Sequence, residues 1–151
     1  MRTFETLTDL AACVGQEVGV SDWVDITQAM VNQFADATGD HQWIHVDVER
    51  AKAGPFGAPI AHGYLTLSLL PRFMANTVEI RQKGMSVNYG VNKVRFTSPA
   101  PVGCRLRARV KLTKADPIDR NGLQFTWSVT VEREGADKPV CVAESIALSY
   151  P

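Results

Sequence analysis

The residues best suited to chemistry crowd into one short segment, Gly39-Asp40-His41-Gln42-Trp43-Ile44-His45. A carboxylate and an imidazole that share a cleft can activate water: one takes its proton while the other positions the water or returns a proton elsewhere. Asp40 and His45 fall in a segment that reads as a turn between two helices, the kind of connection where working side chains concentrate. The same residues have a plainer reading, because an Asp after Gly often closes a helix or turn and a single His is often structural. A second signal is Ala61-His62-Gly63, just ahead of the most apolar stretch of the chain. A helix starting there leaves backbone N–H groups without intrahelical acceptors. The Gly63 N–H, unshielded by a side chain, is then placed to bind an oxygen that becomes negative during reaction. A glycine needed only for close packing fits this position equally. Asp40, His41, His45 and His62 are also conceivable metal ligands. No Cys or Glu joins them at a familiar zinc spacing, so no metal is expected.

These segments need elements to hold them. Glu17 to Ile26 reads as a strand. Thr27 then caps a helix whose apolar stripe is Met30, Val31, Phe34 and Ala37 and which stops at Gly39. A short helix from Asp47 to Ala53 ends at Gly54-Pro55. Tyr64 to Met74 forms a helix with leucine on nearly every face, hence a buried one, with Pro71 interrupting a hydrogen bond or kinking it. From Lys83 the period becomes two. Met85, Val87, Tyr89 and Val91 share a face, whereas Val94 and Phe96 lie on the other parity; the slip across Gly90 to Lys93 predicts a β-bulge. Two more alternating runs, Val102 to Leu112 and Leu123 to Val131, flank the hairpin signal Asn121-Gly122, and a last strand covers Val140 to Tyr150. The expected class is α+β: an antiparallel sheet of about five strands against one long buried helix.

The bulk properties narrow the field. A chain of 151 residues is the usual size of one domain. Sixteen basic and sixteen acidic residues cancel, which argues against a dedicated nucleic-acid binder. Cys13, Cys104 and Cys141 are odd in number and lack CxxC spacing, so they read as reduced thiols of a cytoplasmic protein. Leu10-Ala11-Ala12-Cys13 looks like a lipoprotein cleavage box, yet no apolar run precedes it. No stretch is long and apolar enough to span a membrane. Arg105, Arg107, Arg109 and Lys111 share one strand face, best read as a solvated surface balanced by other charges.

Phe34-Ala35-Asp36-Ala37-Thr38-Gly39-Asp40-His41-Gln42-Trp43-Ile44-His45, followed by Ala51, resembles the signature of the R-specific enoyl-CoA hydratases. These form the MaoC-like group of the hot-dog superfamily, some short members being described as NodN-like. Pro59-Ile60-Ala61-His62-Gly63 resembles a second family segment at the start of the central helix. Tyr89 through Val94-Arg95-Phe96 and Pro99 to Val102-Gly103 resembles the strand leading to a Pro-Val-Gly turn. The chain departs from the pattern at Gln42-Trp43, where the family usually has Asn-Pro. Trp cannot copy proline's fixed backbone, so a differently seated loop is expected.

The resemblance implies a single hot-dog domain over residues 1–151 that adds water to trans-2-enoyl-CoA, giving (3R)-hydroxyacyl-CoA. Asp40 and His45 would hold and activate the water, and the Gly63 N–H would bind the thioester oxygen. His62, Tyr64, Ser68 and Asn88 are candidates for the acyl pocket or for orienting the catalytic groups, and Lys93 and Arg95 for contacts with CoA. No cofactor is implied, CoA being part of the substrate; the implied partner is a second copy of the chain, with the site near the interface. Three other readings stay open. They are a hot-dog thioesterase, which would release free thiol, a dehydratase acting on acyl-carrier protein, and a non-catalytic acyl-CoA binding module.

Overall fold

The computed structural model describes residues 1–151. In chain order its elements are β1 (Arg2–Phe4), α1 (Leu7–Ala11), β2 (Glu17–Val20), β3 (Val24–Asp25), α2 (Gln28–Thr38), α3 (Trp43–Val46), α4 (Val48–Lys52), α5 (Gly63–Ser68), α6 (Leu70–Ala75), β4 (Val78–Ile80), β5 (Met85–Arg95), β6 (Arg105–Pro117), β7 (Leu123–Arg133) and β8 (Cys141–Tyr150). The main sheet has six strands in the order β2-β6-β7-β8-β5, with β3 also paired to β6. Every pairing within it is antiparallel. A separate parallel pair, β1 with β4, ties the N-terminus to the segment after α6. The α+β hot-dog expectation thus holds, with one strand more than anticipated. Glu17 to Ile26 is two strands, because the chain leaves the ladder at Ser21, whose hydroxyl accepts the Ala108 N–H that a continuous strand would have engaged.

Local chemistry explains most boundaries. Thr27 caps α2 by accepting the Met30 N–H, and Gly39 closes it at φ 77°, a left-handed conformation that favours glycine. Val31 and Ala35 are the buried residues of α2; Ala37, expected on that stripe, faces solvent. In β5 the ladder shifts register twice, between Asn88 and Gly90 and again between Val91 and Lys93, where the change of parity predicts a bulge. The β6–β7 turn is wider than a two-residue hairpin: Ile118 N–H bonds Gly122 O, with Arg120 and Asn121 both at positive φ.

The central helix departs from expectation in two ways. It is broken at Leu69 into α5 and α6, two residues before Pro71, which has no N–H to offer the preceding turn. It is also buried on one side only. Leu65, Leu69, Leu70 and Phe73 enter the core, whereas Tyr64, Ser68, Pro71, Arg72 and Ala75 line an exposed stripe. The core lies between this helix and the inner faces of β6, β7 and β8, around Leu106, Val110, Leu112, Phe125, Val129 and Val131.

Candidate active site

Three separated parts of the sequence are clasped together at the start of α5. Ile60 N–H bonds Ile44 O, Ala61 N–H bonds Ala100 O and Val102 N–H bonds Pro59 O, so the Pro59–Ala61 segment runs between α3 and the turn at Pro101. Gly103, at φ 93°, donates to Ile26 O, the residue before the α2 cap. The chain segments carrying Asp40, His45 and Gly63 are thereby fixed to one another by backbone bonds.

His45 does not sit in an open turn. It belongs to the one-turn helix α3 and is 6% exposed. Its Nδ1 lies 2.6 Å from Ile60 O. A carbonyl oxygen only accepts, so Nδ1 carries the hydrogen and Nε2 is left as a bare acceptor. Burial, and secondarily the neighbouring His62, push the His45 pKa below its ordinary 6.5, against the opposing pull of the Ile60 bond and the Asp40 charge. The ring is therefore neutral near pH 7 and able to take a proton.

Asp40 is exposed, its Oδ1 accepting the Gln42 N–H at 3.4 Å. His62, expected to touch substrate, is instead 2% exposed. Its ring stacks on His45 at 3.8 Å between centroids, its Nε2 lies 2.9 Å from Asp40 O, and the Phe34 ring lies 4.9 Å away. It thus links the Asp40 backbone to the His45 ring. Ligand atoms of Asp40, His45 and His62 all lie within 4.8 Å of one another, close enough to surround a water or a cation. His41 is outside this group, paired with Asp36 at 2.8 Å in solvent.

Gly63 opens α5, so its N–H has no intrahelical acceptor. Both readings of this glycine have support: a Cβ built on it would lie 2.6 Å from the Phe96 ring, which makes packing a requirement of its own. Phe96 in turn meets Tyr64 edge-on. Tyr64, Lys93 and Arg95 line one cavity between α5 and β5, of about 430 Å³. Arg95 turns one guanidinium N–H to Val94 O. Ser68 is exposed and donates to Tyr64 O, and Asn88 lines a second cavity further along the helix. The Arg105, Arg107 and Arg109 ladder is matched by Glu134, Glu132 and Glu17, as a balanced surface requires.

Gln42-Trp43 does not derange the loop. Gln42 has φ −58° and ψ 138°, the region a residue before proline must occupy, and Trp43 takes the first position of α3, where proline is at home. Packing replaces the missing ring constraint: Arg50 lies 4.3 Å over the indole, and a Cβ on Gly54 would come within 2.9 Å of it. Sequence reasoning missed Gln28, whose Nε2 donates to His45 O at 2.8 Å. Only its place next to the Thr27 cap hinted that it faced inward.

Residues 9–134 match the MaoC like domain family. The chain is 58% identical over 146 residues to 3-hydroxyacyl-thioester dehydratase Z of Mycobacterium tuberculosis, covering 97% of each. It is 45% identical over 146 residues to Nodulation protein N of Rhizobium meliloti, covering 95% of this chain and 91% of the relative. Among solved structures, the unliganded R-hydratase PhaJ1 of Pseudomonas aeruginosa superposes with TM-score 0.69 at 23% identity, over 91% of this chain and 81% of that one.

Proposed function

Because this chain belongs to the MaoC like domain family, we propose that it is a hydro-lyase of acyl thioesters that adds water, reversibly, to trans-2-enoyl-CoA to give (3R)-hydroxyacyl-CoA. The relative bearing the dehydratase name, 58% identical across 97% of the chain, supports the class of reaction. The observation that carries the mechanism is a neutral, buried His45 whose Nε2 is left as a bare acceptor and whose ring has a nitrogen within 4.8 Å of the Asp40 carboxylate.

In this reading Asp40 and His45 hold one water between them. Its oxygen bonds to C3 of the enoyl group while the pair takes up its proton, and the C2=C3 electron pair moves toward the thioester carbonyl. The Gly63 N–H binds that carbonyl oxygen as negative charge builds on it. The pair returns a proton to C2, so no proton is gained or lost overall. Acid–base help of this kind is worth about 10²–10⁴ in rate, and one oxyanion donor about 3–4 kcal/mol. His62 positions both partners without touching substrate, and Lys93 and Arg95 offer positive charge to the CoA phosphates. The reaction needs no cofactor and no metal, and the enzyme works in the cytoplasm as a homodimer.

The test follows loss of the conjugated enoyl absorbance of crotonyl-CoA together with free thiol. Loss of absorbance without thiol supports hydration. Thiol release would identify a thioesterase, and tight acyl-CoA binding with neither signal would identify a binding module.

A further inference from the structure

Two cavities lie between the helix formed by α5 and α6 and the sheet. Near Gly63 the first is walled by Tyr64 and Leu67 from the helix and by Val91 and Val94 from the strand. Further along the helix lies the second, of about 260 Å³, between α6, β5 and the inner faces of β7 and β8. By comparison with the ~30 Å³ that one water occupies in the liquid, that is room for about eight groups of methylene size. The distance from Gly63 to Met74, which lines the second cavity, is about 16 Å along the helix.

The walls of this cavity are of two kinds. Leu70, Met74 and Trp127 give it an apolar side. On the sheet side, among Phe125, Val129 and Ala147, sits a polar patch: Ser145 and Ser149 of β8, Ser86 and Asn88 of β5, and Lys83 just ahead of β5. Ser86 and Ser149 bond each other at 3.0 Å, which leaves Asn88, Ser145 and the Lys83 ammonium to meet a ligand. Ligand pockets are predominantly apolar, and the few polar groups in them fix what is bound and how. A plain alkyl chain reaching this patch would strip water from the half-buried Ser145 and give it nothing in return, at a cost.

Resting on the hydro-lyase reading, in which the thioester is anchored at Gly63, we propose that the second cavity selects acyl chains whose far end bears a carboxylate. The methylenes lie along Leu70, Met74 and Trp127. The carboxylate accepts hydrogen bonds from Asn88 and Ser145 and pairs with Lys83. A charge-assisted set of this kind is worth about tenfold or more in affinity over a methyl end.

Saturated thioesters cannot be hydrated, so they read the pocket without the reaction. Calorimetric Kd values for the mono-CoA thioester of dodecanedioic acid and for dodecanoyl-CoA would be compared in wild type, Lys83→Met and Asn88→Leu, with butyryl-CoA as a ligand too short to reach the cavity. The expected result is about tenfold tighter binding of the carboxylated chain by wild type. That preference should be lost in Lys83→Met and reduced in Asn88→Leu, while butyryl-CoA binds all three alike. Dodecanoyl-CoA binding wild type as tightly as the carboxylated chain, or a preference that survives Lys83→Met, overturns the proposal. Crotonyl-CoA left unhydrated by wild type would refute the underlying reading instead, and the two failures are read in separate assays.

Discussion

His45 is kept neutral by burial, and that has consequences for pH. Its folded pKa lies below the ordinary 6.5, so the unfolded chain binds the proton more tightly than the folded one. The contribution to stability is therefore present above about 6.5 and is lost as pH falls through that value toward the folded pKa. Catalysis by the bare Nε2 follows the same titration. The acid limb of kcat/KM should fall below the ordinary histidine value, and an acid limb above 6.5 would contradict a neutral, desolvated His45. Of the residues involved, Asp40 and His45 are singled out in the sequence by their types together with the family resemblance, and the structure brings their side-chain polar atoms within 4.8 Å of each other. The role of His62 is not legible there: whether a histidine binds substrate or braces a neighbour depends on burial and on a stacking partner seventeen positions earlier in the chain. Gln28 is illegible for the same reason, its one decisive contact being with a backbone carbonyl of α3.

Among elements, α2 is readable to the residue at both ends because its signals, a Thr cap and a left-handed Gly, are local. Helix α3 is not, since four residues give no periodicity; the Ile60 N–H bond to Ile44 O ties it to the segment ahead of α5. The start of α5 offers a sharp test of packing. In Gly63→Ala the new Cβ would meet Phe96 at 2.6 Å, an overpacking worth about 1–3 kcal/mol. A thermal melt should show a drop of a few degrees per kcal/mol for a domain of this size. Adding Phe96→Ala should recover much of that loss, because residues in contact couple. Equal losses in the single and double variants would mean that Phe96 is not what forbids a side chain at position 63.

On the scale of the whole molecule, β5 is one edge strand of the sheet, opposite β2 and β3. It exposes Met85, Val87, Tyr89 and Val91, with Tyr89 65% exposed. A long apolar edge strand is a template for pairing with another chain, and β5 also lines both cavities. A dimer formed through β5 is expected at micromolar concentration in sedimentation equilibrium, and Tyr89→Lys with Val91→Lys should shift it to monomer. A wild-type monomer would contradict this. The sequence shows the alternation that makes β5 a strand, but not that it lies at the edge, because strand order is a long-range property. All three cysteines are free in the structure, and burial pushes the Cys141 thiol up to about 11. No helix is long and apolar enough to cross a membrane.

The most direct test of the central claim is the hydration of crotonyl-CoA by wild type, Asp40→Asn and His45→Gln. The account predicts loss of enoyl absorbance without thiol release in wild type, and a kcat lower by about 10²–10⁴ in each folded variant. Near-normal turnover in either variant would show that Asp40 and His45 are not the acid–base pair.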